Sequence, residues 1–277
     1  MRSKKEQSTE KKIIQAIKEL GLDGTNGKSG KVLAAAELMV ADKEILATQD
    51  YANNVSIVRL GYNDHGPVHM RTVACNVITM MGFLRQAGIK TSLEKEEVGN
   101  FEDSLIASMF AGMLHDLGMS ISRQDHDIHS AYMALPILDR ILSKIYAGDL
   151  NKRIMVRCLA LEGIYGHMGS RAIHSLEAGI VQVADGCDMT KGRARIPMAL
   201  GHNPKGGHIH QYSANSIEDV KLSKGAESPI RIDVFMSSEV GYFQVEEVLL
   251  HKIASSTAKP HIELYAKMEG REQKRYL

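Results

Sequence analysis

The string Ala111-Gly112-Met113-Leu114-His115-Asp116-Leu117-Gly118 decides how this chain is read. It closes an apolar run of helical spacing, so the imidazole and carboxylate of His115-Asp116 fall where a helix gives way to a loop. An adjacent His-Asp pair says little alone, because the dipeptide arises often by chance. Its surroundings give it weight. Upstream, Asn63-Asp64-His65-Gly66-Pro67-Val68-His69 opens a helix. Downstream come Asp125-His126-Asp127-Ile128-His129-Ser130, then Gly166-His167, then Val183-Ala184-Asp185. Each candidate sits at the start or end of a periodic segment, or on its inward stripe.

Imidazole nitrogen and carboxylate oxygen suit divalent iron, manganese, cobalt, nickel or zinc, and a helix bundle brings such groups inward from several elements. Four His and two Asp make a set for two ions. Two carboxylates against two divalent ions leave a local charge of about +2, which favours an anionic substrate and lowers the pKa of a bridging water. The composition calls for such a local trap. Lys+Arg number 34 and Asp+Glu 33, a formal net charge of +1, too even for broad, field-driven binding of nucleic acid or an acidic membrane.

The 277 residues are 44% hydrophobic and 24% charged, a globular balance that excludes collagen-like and disordered chains. Cys75, Cys158 and Cys187 are widely spaced with no CxxC pair, so neither a disulfide framework nor a thiolate zinc site is written here, and a cytoplasmic location is expected. No apolar signal core follows Met1 to Lys12, and no apolar stretch reaches 18 residues, so secretion and membrane spanning are not expected.

Helical periodicity covers 11–20, 32–47, 68–87, 101–114, 128–146, 152–165 and 175–189, with Pro136 expected to kink one helix or open a new turn. Gly27-Lys28-Ser29 invites a phosphate-loop reading, but the pattern needs Gly at position 22, which is Leu22, and the segment follows a helix instead of a strand. Beyond the Pro- and Gly-rich stretch 195–207, alternation at Ile230, Ile232, Val234 and Met236 and at Ile262, Leu264 and Ala266 predicts two strands. They flank a short helix carrying Val245, Val248, Leu249 and Ile253, with a further strand near Val220 to Leu222. The expected fold is mainly α, a helical bundle followed by a small α/β unit. The expected boundaries are 1–60 for amino-terminal helices packing on the bundle, 61–195 for the metal-binding domain, 196–207 for a linker, 208–270 for the α/β domain and 271–277 for a tail.

From about Asp64 to Arg195, the order of these residues resembles the HD-domain superfamily of metal-dependent phosphohydrolases. His69 with Arg71 and Val73 resembles the first histidine helix, His115-Asp116 with Leu117-Gly118 the pair that names the family, and His126 the segment opening the next helix. His167 resembles the histidine at a helix end, and Ser175 through Asp185 the closing aspartate helix. The resemblance implies one ion held by His69, His115, Asp116 and Asp185, with Asp116 bridging to a second held by His126 and His167. The ions implied are divalent, two per chain: Mn, Fe, Ni, Co, Zn or Mg. The reaction implied is hydrolysis of a phosphoester of a small, nucleotide-like molecule by a hydroxide between the metals. Relatives that cleave cyclic dinucleotides usually carry Lys where Met119 stands, which disfavours that substrate. The length and carboxy-terminal unit resemble a group of archaeal-type HD proteins for which the resemblance implies no substrate.

Around these positions, His65 and Arg123 join Asp116 as catalytic candidates, and Lys191, Arg193, Arg195 and Arg71 are candidate ligands of phosphate oxygens. His129 competes with His126. His202, His208 and His210 form a second group with no carboxylate and read as a polar loop. Two other functions share the ligand set: a di-iron oxygenase and a nucleotide-sensing binding protein. A homodimer is expected, because strand-helix-strand units leave edges that pair readily.

Overall fold

The computed structural model describes residues 2–25, 28–191 and 209–277. Helix α1 (Lys4–Glu19) begins at a capping box of Ser3 and Glu6 and buries Ile13 and Ile17 against α4 (Pro67–Gln86). A two-residue ladder, β1 (Gly24–Thr25) with β2 (Lys28–Ser29), occupies the turn to α2 (Lys31–Ala41). The periodicity over 32–47 belongs to two helices, because Asp42 takes an extended conformation and caps α3 (Lys43–Asn54) by accepting from Glu44 N and Ile45 N. A π-wound turn, Val55–Arg59, ends α3.

After α4 and the short α5 (Ser92–Lys95), helix α6 (Phe101–Leu114) is buried almost all round. An apolar helix with no wet face belongs at the centre of a bundle, and α4, α8 (Leu150–Gly166) and α9 (Leu176–Gly186) pack around it. Helix α7 (His126–Ile145) runs unbroken through Pro136, where an interruption was expected. Pro136 and Tyr132, whose carbonyl loses its helical donor to the proline, both lie on the exposed face, so the missing bond is not a buried one.

The carboxy-terminal part runs α10 (Ile209–Ser216), β3 (Ile217–Lys224), β4 (Ile230–Met236), a crossover helix over 241–255, β5 (Ile262–Met268) and β6 (Lys274–Arg275). The sheet order is β3-β4-β5-β6, with β4 and β5 parallel and the other pairs antiparallel. A parallel pair needs a crossover connection, and the crossover helix supplies it. Ile230, Ile232 and Val234 pair with Ile262, Leu264 and Ala266, so the alternation read from the sequence faces one apolar layer. The fold class is as expected, mainly α with a small α/β unit.

Within the segment 271–277, Lys274 and Arg275 pair with Ala266 and Tyr265 and the Tyr276 hydroxyl donates to Glu246 Oε1 at 2.6 Å. Ile232, Leu249 and Leu264 of the α/β unit share one buried apolar cluster with Leu105, Phe110 and Val181 of the bundle. The linker 196–207 lies outside the described residues, as do Arg193, Arg195, His202 and His208. The edge argument for a dimer weakens, because β6 is two residues long and β3 carries Glu218, Asp219, Lys221 and Lys224, the features that blunt an edge. Among the described residues, no helix is long and apolar enough to cross a membrane.

Candidate metal centre

Helix ends converge on one buried point. His115 caps the C-terminus of α6, and the 3-10 turn Leu117–Ser120 follows. Gly118 lets that turn dock on the start of α7: a Cβ there would lie 2.1 Å from His126 O and 2.6 Å from Ser130 N, and its N–H donates to Ser130 Oγ at 2.8 Å. Asp125, at φ 52°, turns the chain into α7 through the left-handed region that Asp tolerates. His126 is thereby buried and faces the cluster, and His129 is left partly exposed. His69 stands in the first turn of α4, His167 caps α8, and Asp185 ends α9.

The six side chains form two sets that share Asp116. On one side, His69 Nε2 lies 3.3 Å from Asp116 Oδ2, 3.2 Å from Asp185 Oδ1 and 3.1 Å from His115 Nε2; His115 Nε2 lies 3.3 Å from the same Asp116 oxygen. On the other, Asp116 Oδ1 faces His126 Nε2 at 3.3 Å and His167 Nε2 at 3.6 Å, and the two imidazole nitrogens are 3.2 Å apart. Ligand atoms of His69, His115 and Asp185, and of His115, Asp116 and His167, fall within 4.8 Å of one another, so each group could hold a metal ion.

The outer nitrogens say which atoms face inward. Nδ1 of His115, His126 and His167 meets the carbonyl oxygens of Gly112 (2.9 Å), Arg123 (3.0 Å) and Ile164 (2.6 Å). Carbonyls only accept, so each Nδ1 carries the proton and each Nε2 a lone pair. His69 Nδ1 likewise meets Asp188 Oδ2 at 2.7 Å. Four lone pairs and two carboxylates therefore point at one another, an arrangement that repels itself unless cations lie between, and one whose outer hydrogen bonds are those that orient metal-binding histidines. Divalent metal chemistry fits this donor set.

Burial and the neighbouring charges set the ionisation of each group. Burial pushes the His167 imidazole down to about 4, keeping it neutral, as a ligand must be. Burial works against the Asp116 carboxylate, but His115 and His65 outweigh it and hold the group well below the usual range. Burial likewise opposes ionisation of Asp185, and the Lys252 ammonium overrides it. The His115 imidazole is raised: its burial is overcome by Asp116 and Asp185.

Of the remaining candidates, His65 stands at the mouth, its ring centroid 6.0 Å from that of His69 and its Nδ1 2.6 Å from Asn63 O. Arg123 Nη1 is 3.3 Å from His126 Nε2. Lys191 does not line the cleft and pairs with Glu218 at the surface. Arg71 is corrected: its fully buried guanidinium donates through Nε and Nη1 to Glu10, Gln49 and Pro67 O, its Nη2 has no partner among the described residues, and it does not line the cleft. Two residues were missed. Asp188 lies one turn after Asp185, a spacing the sequence shows; Lys252, whose Nζ bonds Asp185 Oδ2 and donates to His167 O at 2.9 Å, comes from the crossover helix, and nothing local marks it.

A cleft of about 620 Å³ opens over the cluster, lined by Asp116, His126, His167 and Asp185 on one side of the chain and by Gln244, Glu247, Val248, His251 and Lys252 from the crossover helix. Its size suits a small-molecule ligand. No family model matches the sequence, and no solved structure does. The chain is 42% identical over 231 residues to the uncharacterized protein MJ1020 of Methanocaldococcus jannaschii, an alignment covering 83% of this chain and 87% of that protein. At that identity and coverage, the chain belongs to the same family as the Methanocaldococcus jannaschii protein.

Proposed function

We propose that this protein is a metal-dependent phosphohydrolase of the HD type, with a two-metal centre acting on a phosphorylated, nucleotide-like small molecule. The observation that carries the reading is the division of Asp116, one oxygen toward His69 and His115 and the other toward His126 and His167. His69, His115, Asp116 and Asp185 would hold one ion; Asp116, His126 and His167 would hold the other. Bound divalent ions supply a water of lowered pKa and stabilise charge on phosphoryl oxygens.

The protein's own groups bind and orient. Asp116, Asp185 and Asp188 against Lys252 and two divalent ions leave a local charge of about +2, which draws an anion into the cleft. Arg123, beside His126, is placed to take non-reacting phosphoryl oxygens by charge-assisted hydrogen bonds. His65, its Nδ1 anchored on Asn63 O, presents Nε2 for proton transfer to the leaving oxygen. Phosphate release from a panel of monoesters, diesters and nucleoside phosphates, with Mn²⁺, Co²⁺, Ni²⁺ or Fe²⁺, tests the reading. Cleavage that disappears in Asp116→Ala is expected; ion-loaded protein that cleaves no member of the panel overturns it.

A further inference from the structure

The crossover helix gives the cleft a wall that the metal ligands do not use. It is π-wound over Gln244–Leu250, and i→i+5 winding stacks residues five apart. Glu247 stands in that wound segment and Lys252 just beyond it, and both line the cleft. The other π-wound turn, Val55–Arg59, leads into Tyr62 and Asn63, which line the same cleft. Single π turns concentrate at functional sites; here one supplies wall residues of the cavity and the other leads into residues that line it.

Cations line that cavity beside the His/Asp cluster, Lys252 on Asp185 and Arg123 beside His126. Acceptors line it as well. Asn63 lines the cavity, its Oδ1 buried and, among the described residues, without a hydrogen-bond donor. Glu247 adds a carboxylate that enters no described ion pair or hydrogen bond. Val248 and the Tyr62 ring supply apolar surface between.

We propose that this wall is a leaving-group subsite for a flat ring bearing N–H donors, an amino-bearing nucleobase, with Glu247 accepting from the amino group. The same carboxylate repels a second phosphate, so the subsite prefers a monophosphate to a polyphosphate chain. The inference rests on the phosphohydrolase reading for the reaction but not for the binding.

The test uses the full chain loaded with Mn²⁺ and three pairs of nucleoside 5′-monophosphates that differ only in an amino group: adenosine against purine riboside, guanosine against inosine, and cytidine against its analogue lacking the 4-amino group. Preference is read as the ratio of kcat/KM where phosphate is released, and of calorimetric Kd where it is not. At least one amino-bearing member is expected to be favoured about 10-fold, a size suited to one exposed hydrogen bond to a charged group. Glu247→Leu is expected to bring that ratio within about 2-fold, Glu247→Gln to retain part of it, and adenosine monophosphate to be favoured over the diphosphate. Ratios within about 2-fold in all three wild-type pairs, or a preference unchanged in Glu247→Leu, overturn the subsite. Preference without phosphate release keeps the subsite and rejects the hydrolase; release without preference does the reverse.

Discussion

Glu10→Ala strands a buried charge behind the metal centre. The Arg71 side chain is fully buried and its Nε donates to Glu10 Oε1 at 3.0 Å. Its Nη1 donates to Gln49 Oε1 at 2.9 Å and to Pro67 O at 2.8 Å, while Gln49 Nε2 donates to Met113 O at 2.8 Å. One guanidinium thus ties α1 and α3 to the turns that carry His69 and His115. Removing one partner of a buried pair costs about 3–5 kcal/mol. Glu10 is 12% exposed, so water enters and the lower end, about 3 kcal/mol, applies. Arg71→Met removes the charge with its partner's need for it and leaves Gln49 Oε1 without its donor, about 1–3 kcal/mol. Glu10→Ala is therefore the worse substitution. With a urea slope of about 3 kcal/mol per M, its unfolding midpoint falls by roughly 1 M and that of Arg71→Met by about half as much, as read by circular dichroism. An Arg71→Met protein with the wild-type midpoint but weakened affinity for phosphate esters would refute the reasoning and return Arg71 to the cleft.

Gly118→Ala drives a Cβ against His126 O and Ser130 N; it should lower the thermal midpoint and displace His126, reducing bound metal in elemental analysis. Asp188→Asn weakens the group that orients His69 and should lower metal affinity about 10- to 100-fold by calorimetric titration with Mn²⁺, while far-ultraviolet circular dichroism stays unchanged. Asp42→Ala removes the α3 cap and the Arg140 pair and should cost about 1 kcal/mol in urea unfolding. The hydrogen bond from Arg140 holds the Asp42 carboxyl below its ordinary value, so this contribution is complete above the unfolded pKa of about 3.9 and fades as pH falls through the lower folded value. The gap between wild type and Asp42→Ala should therefore narrow in acid.

The bundle was legible because its outer helices bury one face: Ile13 and Ile17, or Ile137, Leu138 and Ile141, repeat with the helical period and are buried. The buried His/Asp cluster was legible because its members stand at or beside helix ends, where His115, His126 and His167 find a backbone carbonyl for Nδ1. The burial of His126 instead of His129 was not, since it depends on one left-handed residue, Asp125. Arg71 misled because a cation two residues from a ligand reads as a substrate clamp, whereas its partner Glu10 is 61 residues away. Lys252 lies 67 residues beyond Asp185, and no periodicity joins a crossover helix to the cluster it closes. The pairing of 274–275 stayed hidden because Glu-Gly-Arg-Glu-Gln-Lys-Arg carries no alternation, its ladder resting on backbone groups and on Tyr276.

The central claim is that Asp116 joins two ligand sets, and elemental analysis of the purified wild type beside His126→Ala and His167→Ala tests it most directly. Two ions per chain in the wild type, falling to one in either variant, are predicted; an equal metal content in all three proteins would contradict the account.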